Sequence, residues 1–170
     1  MRHSHTRKAV FDYRWPDPPL NVVLVHPEIP PNTGNIARLC AATGSILHLV
    51  EPLGFSINDA QLRRAGLDYW DAIRVQIHPS WPEFLDAIRP PRLYLYSTGS
   101  SRRYDQAHYR PGDTLVFGCE TRGLPDDILA AHPDSVYGIP IQTRHVRSLN
   151  LSSAAAIVAY EALRQIQSTT

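Results

Sequence analysis

Thr114-Leu115-Val116-Phe117-Gly118-Cys119-Glu120-Thr121-Arg122-Gly123-Leu124-Pro125-Asp126-Asp127 carries three local signals in a row. The apolar run 114–117, bounded by Gly-Asp before it and glycine after it, predicts a buried strand. The residues from Gly118 to Gly123 are small, polar and charged and predict a loop. Pro125 followed by two aspartates predicts a helix start, because acidic side chains favour the first turn. A strand that empties into a glycine-flanked loop and then a helix puts that loop at the carboxyl end of a sheet. Open α/β sheets bind ligands there.

The flanking chain repeats the alternation. Strands are expected at 20–25, 46–50, 73–77, 93–96 and 135–139, from short β-branched or aromatic runs. The three prolines within 26–31 predict a loop, with a helix opened by Asn32-Thr33-Gly34-Asn35 and ended by Gly44. Further helices are expected from Asn58 or Asp59 to Ala65, from a Ser80 cap to about Arg89, after Pro125, and from about Leu151. In the last, Leu151, Ala154, Ala155, Val158, Ala159, Ala162, Leu163 and Ile166 recur at helical spacing as its buried face. The class is therefore α/β, a mostly parallel sheet with helices on both faces. Residues 1–19, basic and then proline-rich, read as a flexible N-terminal arm, and 20–170 as a single domain.

Composition bounds function. The net charge is +1 over 170 residues, which argues against a strong general nucleic-acid footprint. Any RNA contact must come from local patches such as Arg63-Arg64, Arg102-Arg103 and 144–147, or from an oligomer that pools them. Lys8 is the only lysine. Cys40 and Cys119 lie far apart, and with no signal segment they read as reduced thiols of a cytoplasmic protein. No apolar run reaches membrane-spanning length. No G-x-G-x-x-G follows the first strand, no P-loop is present, and no His, Cys or acidic cluster has metal-ligand spacing, so a dinucleotide oxidoreductase and a metal centre are both unsupported. What remains is a set of strand-end loops bearing Asn, Ser, Glu and Arg. Each has a plain structural reading: Asn32 or Asn35, and Asn150 or Ser152, as helix caps, and Glu120 in a salt bridge with Arg122.

Taken together, three stretches are more specific. His26-Pro27-Glu28-Ile29-Pro30-Pro31-Asn32-Thr33-Gly34-Asn35-Ile36-Ala37-Arg38, the run from Phe117 to Pro125, and Arg147-Ser148-Leu149-Asn150-Leu151-Ser152 resemble the three motifs of the SPOUT-superfamily RNA 2′-O-methyltransferases. Leu62-Arg63-Arg64-Ala65-Gly66-Leu67-Asp68-Tyr69 looks like a signature of the small, single-domain branch that acts on the tRNA wobble position.

The resemblance implies an α/β domain whose C-terminal segment forms a deep trefoil knot, and a homodimer. It implies S-adenosylmethionine as methyl donor and the ribose 2′-hydroxyl of cytidine or uridine 34 as acceptor, with leucine tRNAs as substrates. Tyr96, Gly118, Ile139, Ser148 and Leu149 would contact the cofactor. Arg38 would activate the hydroxyl, with Asn32 orienting Arg38 or the ribose and Glu120, Ser148 and Asn150 supporting the site. Arg63, Arg64, Arg102 and Arg103 would meet the tRNA backbone. Three departures from the pattern stand out: Cys119 where proline is common, a longer and more basic approach to the third motif over 142–147, and the arm. The alternatives are a 2′-O-methyltransferase for another tRNA or rRNA position, and a non-catalytic RNA-binding relative.

Overall fold

The structure is a computed structural model that describes residues 10–57, 73–142 and 145–168. The helix expected from residue 58 or 59 lies outside the described residues. Six strands form one sheet in which every ladder is parallel: β1 (Asn21–Val25), β2 (Ile46–Val50), β3 (Val75–His78), β4 (Leu93–Tyr96), β5 (Thr114–Phe117) and β6 (Val136–Tyr137). Their spatial order is β3-β2-β1-β5-β4-β6. The chain thus starts in the middle, runs out to one edge, and crosses to the other half. It then slots β5 between β1 and β4. β6 is shorter than the expected strand, because 133–135 form a turn of 3₁₀ helix before it.

Helices α1 (Pro30–Thr43), α2 (Trp81–Ile88), α3 (Asp126–Ala131) and α4 (Leu151–Ser168) cover both faces of the sheet. Alternate strand residues define the two cores. Val22, Leu24, Leu47, Leu49, Leu115 and Phe117 face α1 and α4, where Ile36, Cys40, Val158, Ala162 and Leu163 meet them. Val23, Val25, Val50, Leu95 and Val116 face α2 and α3 through Phe84 and Ile128. Each large apolar side chain fully buried in this way contributes about 1.5–3 kcal/mol relative to exposure. On α4 the residues expected to be buried are so from Ala155 to Ile166, whereas Leu151 and Ala154 are half-buried.

One boundary differs from expectation. Helix α1 begins at Pro30, inside the stretch read as loop, with Ile29 at its N-cap. The first helical positions have no intrahelical use for an N–H, so Pro30 and Pro31 cost nothing there and their fixed φ suits the turn. Gly44 closes α1 in the left-handed conformation, φ 69°. Ser80 caps α2, its hydroxyl accepting from Glu83 N at 3.3 Å. His26 ends β1 with φ 54°, an uncommon conformation for a non-glycine residue. It turns the chain sharply from the sheet toward Glu28.

Across β1, β2 and β3 runs a buried polar line. His48, fully buried, places Nε2 3.0 Å from Asn21 Oδ1 and Nδ1 3.0 Å from His78 Nε2. Asn21 Oδ1 can only accept, so His48 carries its proton on Nε2 and accepts one from His78. Burial, with the neighbouring His78 imidazole adding to it, pulls the His48 pKa down to about 4.

Candidate functional site

β1 and β5 are adjacent and parallel, with Leu24 level with Phe117. The loops that leave them therefore emerge side by side at the carboxyl edge of the sheet. The second loop supplies a carboxylate and the first supplies donors. Glu120 Oε2 accepts from Glu28 N at 2.8 Å, and Oε1 accepts from Ile29 N and from Asn32 Nδ2, each at 3.1 Å. Glu120 thus caps the amino end of α1 from 91 residues away, where a negative charge also meets the positive end of the helix dipole. The Glu120–Arg122 salt bridge expected from the sequence is not among the ion pairs of the described residues.

Asn32 extends the chain of bonds. Only 6% exposed, it accepts at Oδ1 from Asn150 Nδ2 at 2.9 Å. Asn150 Oδ1 in turn accepts from Ser152 N at 2.9 Å and Ser153 N at 3.4 Å, which makes it the N-cap of α4. Asn32 is not a cap; its amide faces Glu120 and Asn150 instead.

These residues form part of the wall of a cavity of about 620 Å³, a size typical of small-molecule sites. Tyr96, Ser97 and Thr98 enter it from β4, the run from Gly118 to Leu124 from β5, and Ile139 and Ile141 from the segment after β6. Arg147, Ser148, Leu149 and Asn150 close it from the approach to α4. Two glycines have steric reasons. A Cβ on Gly118 would lie 2.0 Å from Gly123 C and 2.1 Å from Leu124 N, so the turn 118–124 can close only on glycine. The turn is pinned by Cys119 N to Gly123 O, 3.2 Å, and Gly123 N to Cys119 O, 2.9 Å. A Cβ on Gly138 would sit 3.0 Å from Ser97 O, where β6 draws against the loop after β4.

Tyr96 is held rigidly. Its ring stacks on Phe117 with centroids 4.8 Å apart. Tyr109 spends its hydroxyl proton on Tyr104 O (2.7 Å), so Tyr96 donates to Tyr109 across 2.9 Å. Burial first, then the Tyr109 hydroxyl, raises the Tyr96 pKa, and the phenol stays neutral. Cys119 is half-buried, with Sγ 3.6 Å from Gly123 O.

Of the residues singled out in the sequence, the cavity brings together Asn32, Tyr96, Gly118, Glu120, Ile139, Ser148, Leu149 and Asn150. Arg38 does not line it. It lies on the exposed side of α1, six residues beyond Asn32, or about 9 Å along the axis. Arg102 and Arg103 lie on the loop after β4, exposed, and pair with Asp134 and Asp105. Arg63 and Arg64 lie outside the described residues. The family resemblance pointed to the loop after Tyr96 without singling out Ser97 and Thr98, and it gave no individual cavity role to Arg122 and Arg147. Both arginines are exposed lining residues and set the charge of the rim.

The donor set suits a polar ligand with an apolar part. Ser97, Thr98 and Ser148 offer hydroxyls, while Leu124, Leu129, Ile139 and Leu149 offer apolar wall. Among the described residues, the backbone N–H groups of Ile139, Ile141, Ser148 and Leu149 find no hydrogen-bond partner. S-adenosylmethionine needs this combination of flat apolar contact and backbone hydrogen bonding, and the residues present fit it.

Comparison with known proteins places this geometry. The chain matches the SpoU rRNA methylase family over residues 19–160. It is 49% identical over 148 residues to the tRNA (cytidine(34)-2′-O)-methyltransferase of Burkholderia ambifaria, covering 85% of this chain and 94% of that protein. To the enzyme of the same description from Escherichia coli K12 it is 50% identical, covering 86% and 94%. A solved structure described as giving insight into the 2-OH methylation of C/U34 on tRNA superposes with a TM-score of 0.81 at 44% identity, over 86% of this chain and 95% of that one. An AdoMet-bound rRNA methyltransferase from Sinorhizobium meliloti superposes at 0.75 with 27% identity, over 85% of this chain and 56% of that one. The residues that build the cavity wall lie within the matched span, and this chain belongs to the SpoU methylase family.

Proposed function

We propose that this protein transfers a methyl group from S-adenosylmethionine to the ribose 2′-hydroxyl of nucleotide 34 of tRNA, a cytidine or uridine, with leucine isoacceptors as substrates. The observation that carries the reading is the junction of Glu120, Asn32 and Asn150, where three segments far apart in sequence meet on one cavity wall. Relatives about 50% identical over most of the chain bear that activity by name.

When bound, S-adenosylmethionine supplies a methyl group on a sulfonium, already activated for transfer. Tyr96, Gly118, Ile139, Ser148 and Leu149 hold it, largely through backbone groups and the apolar wall. The remaining work is to position the acceptor and stabilise the charge that develops on its oxygen. Arg38 does the second. A guanidinium stays protonated, so it lowers the pKa of the hydroxyl electrostatically, and the proton leaves to a water or a phosphate oxygen as the methyl group arrives. Asn32, locked by Glu120 and Asn150, orients the acceptor. Arg63, Arg64, Arg102 and Arg103 contact tRNA phosphates.

The C-terminal segment carries a deep trefoil knot in this reading, and the loops after β4, β5 and β6 are its cofactor-holding turns. The protein works in the cytoplasm as a homodimer, with the exposed side of α1, including Arg38, placed to serve a site completed at the subunit interface. Purified protein, labelled S-adenosylmethionine and bulk tRNA test the activity, and mass spectrometry of the digested tRNA locates the methyl group. The expected product is 2′-O-methylated nucleotide 34. A label at another ribose would overturn the assigned position, and no label would overturn the activity.

A further inference from the structure

A second cavity, of about 510 Å³, opens at the same carboxyl edge of the sheet. The turn after β5 is a wall common to both cavities, since Cys119, Arg122, Gly123, Leu124 and Asp126 line each of them. The opposite wall comes from the loops after β1 and β2, with His26 and Glu28 from the first and Pro52, Leu53 and Gly54 from the second. These two loops are packed tightly together. Gly54 N donates to Pro27 O at 2.9 Å, and a Cβ on Gly54 would stand 2.8 Å from Glu28 Cα. The left-handed turn at His26 delivers the chain to this contact.

The lining offers two kinds of surface. Pro52, Leu53, Leu124 and Pro125 give apolar contact on which a planar heterocycle can pack. Glu28 gives an acceptor and Arg122 a donor fork. The Glu28 carboxylate is held in place, with Thr121 Oγ1 2.8 Å and 3.0 Å from its two oxygens. One hydroxyl supplies one proton, whereas a carboxylate has about four lone-pair sites, so most of its accepting capacity is unspent. Among the described residues Thr121 is the only partner of this carboxylate, and neither Glu28 nor Arg122 belongs to an ion pair. A concave site with apolar walls and a few fixed polar groups is the usual form of a specific small-molecule or nucleobase pocket.

We propose that this second cavity holds the base of the acceptor nucleotide, and that Glu28 and Arg122 read its Watson–Crick edge as a pyrimidine. The inference rests on the tRNA methyltransferase reading of the first cavity. Cytosine donates from its N4 amino group and uracil from N3–H, and a carboxylate accepts from either. Both bases carry a carbonyl at O2 for the guanidinium. Adenine has an amino group but no carbonyl, and would leave Arg122 without an acceptor. The two cavities are within reach of one nucleotide. Glu28 N and Asn32 Nδ2 bond opposite oxygens of the one Glu120 carboxylate, so the amide that orients the ribose and the residue that reads the base share a single anchor.

The test uses the full chain and full-length leucine tRNA assembled with one of four nucleosides at position 34: cytidine, uridine, adenosine, or 2-pyrimidinone riboside, which lacks the N4 amino group. Methyl transfer gives kcat/KM for each RNA with the parent, Glu28→Gln and Arg122→Gln. The parent should prefer cytidine and uridine to the other two by about ten-fold, the scale of one lost base-edge contact. Glu28→Gln should lower kcat/KM about ten-fold for cytidine and uridine. It should not lower it for the 2-pyrimidinone RNA, because the two losses concern one hydrogen bond and do not add. Its calorimetric affinity for S-adenosylmethionine should match the parent's, since Glu28 does not line the first cavity. Arg122→Gln should narrow the preference over adenosine. A parent indifferent to the base at position 34 overturns the proposal. So does an equal loss on all four RNAs in Glu28→Gln, which would make Glu28 a structural residue only. If the parent methylates none of the four, the transfer reading fails instead, and filter binding of the same RNAs to the parent and Glu28→Gln still decides the cavity.

Discussion

Replacing Glu120 by alanine removes one carboxylate and leaves three donors pointing at the vacated space: Glu28 N, Ile29 N and Asn32 Nδ2. Hydrogen bonds to a charged acceptor contribute about 1.5–3 kcal/mol each when well buried. Glu120 is only half-buried and Ile29 is exposed, so water can reach part of the gap and about 1 kcal/mol per bond is the appropriate scale. The sum is about 3 kcal/mol, and it includes the carboxylate's interaction with the α1 dipole. For a domain of this size, that lowers the unfolding midpoint by about 6–12 °C. Glu120→Gln keeps one acceptor but turns an amide N–H toward a backbone donor, and should cost about half as much. Arg122→Ala, by contrast, should stay within about 0.5 kcal/mol, because Arg122 has no part in the cap. Urea unfolding of the three variants measures all of this. A Glu120→Ala protein within about 0.5 kcal/mol of the parent, or an Arg122→Ala protein that falls as far as Glu120→Ala, would refute the capping argument.

Three other perturbations probe separate parts of the molecule. Arg38→Ala should lower kcat by about 10²–10³, the scale for losing one charge-stabilising group, with calorimetric S-adenosylmethionine affinity unchanged; weakened cofactor binding would move Arg38 into the cavity. Gly118→Ala cannot close the turn onto Gly123 and should cost about 3 kcal/mol by the overpacking scale, with cofactor affinity lost as well; a parent-like unfolding curve would contradict the 2.0 Å approach. His48 should make stability fall in acid. Its folded pKa of about 4 lies below the unfolded value near 6.5, so between those pH values the unfolded chain binds a proton that the native state refuses. Stability is therefore full above about pH 6.5 and declines as pH drops toward 4, by about 3 kcal/mol at the lower limit. Denaturant titrations at pH 7 and 4.5 check it, with His48→Gln expected to flatten the difference; equal slopes in parent and variant would rule His48 out as the cause.

The sequence made the elements legible because their signals are local. Val-Val-Leu-Val at 22–25 and Leu-Val-Phe at 115–117 are strands by composition, Gly44 is a stop by its missing Cβ, and Ser80 is a cap by its hydroxyl. The helix start at Pro30 was hidden because proline is a breaker in most contexts and harmless only at the first positions, and nothing local marks where the first position is. Partners were less legible still. Asn150 as a cap of its own helix could be read, since it acts on residues two and three ahead. Its other bond, to Asn32, spans 118 residues, and Glu120 reaches back 88 to 92. Both depend on β5 lying beside β1, an order set by the crossover and by no single residue. Family resemblance grouped the three motifs, but their mutual bonding emerged only with the sheet order.

That bonding admits one arrangement. Glu120 can only accept, so Asn32 must present Nδ2 to it and Oδ1 to Asn150. Asn150 must then donate, which turns its own Oδ1 toward the first N–H groups of α4, where an acceptor is required. Flipping either amide would set oxygen against carboxylate at one end, or amide N–H against helix N–H at the other, and each mismatch would break a hydrogen bond of the chain. A carboxylate on one loop thus fixes the rotamer sense of two amides and the starting point of a helix on another. The amino ends of α1 and α4 are thereby tied to each other on the cavity wall. A ligand that touches Asn150 therefore also bears on Asn32, and through it on the amino end of α1.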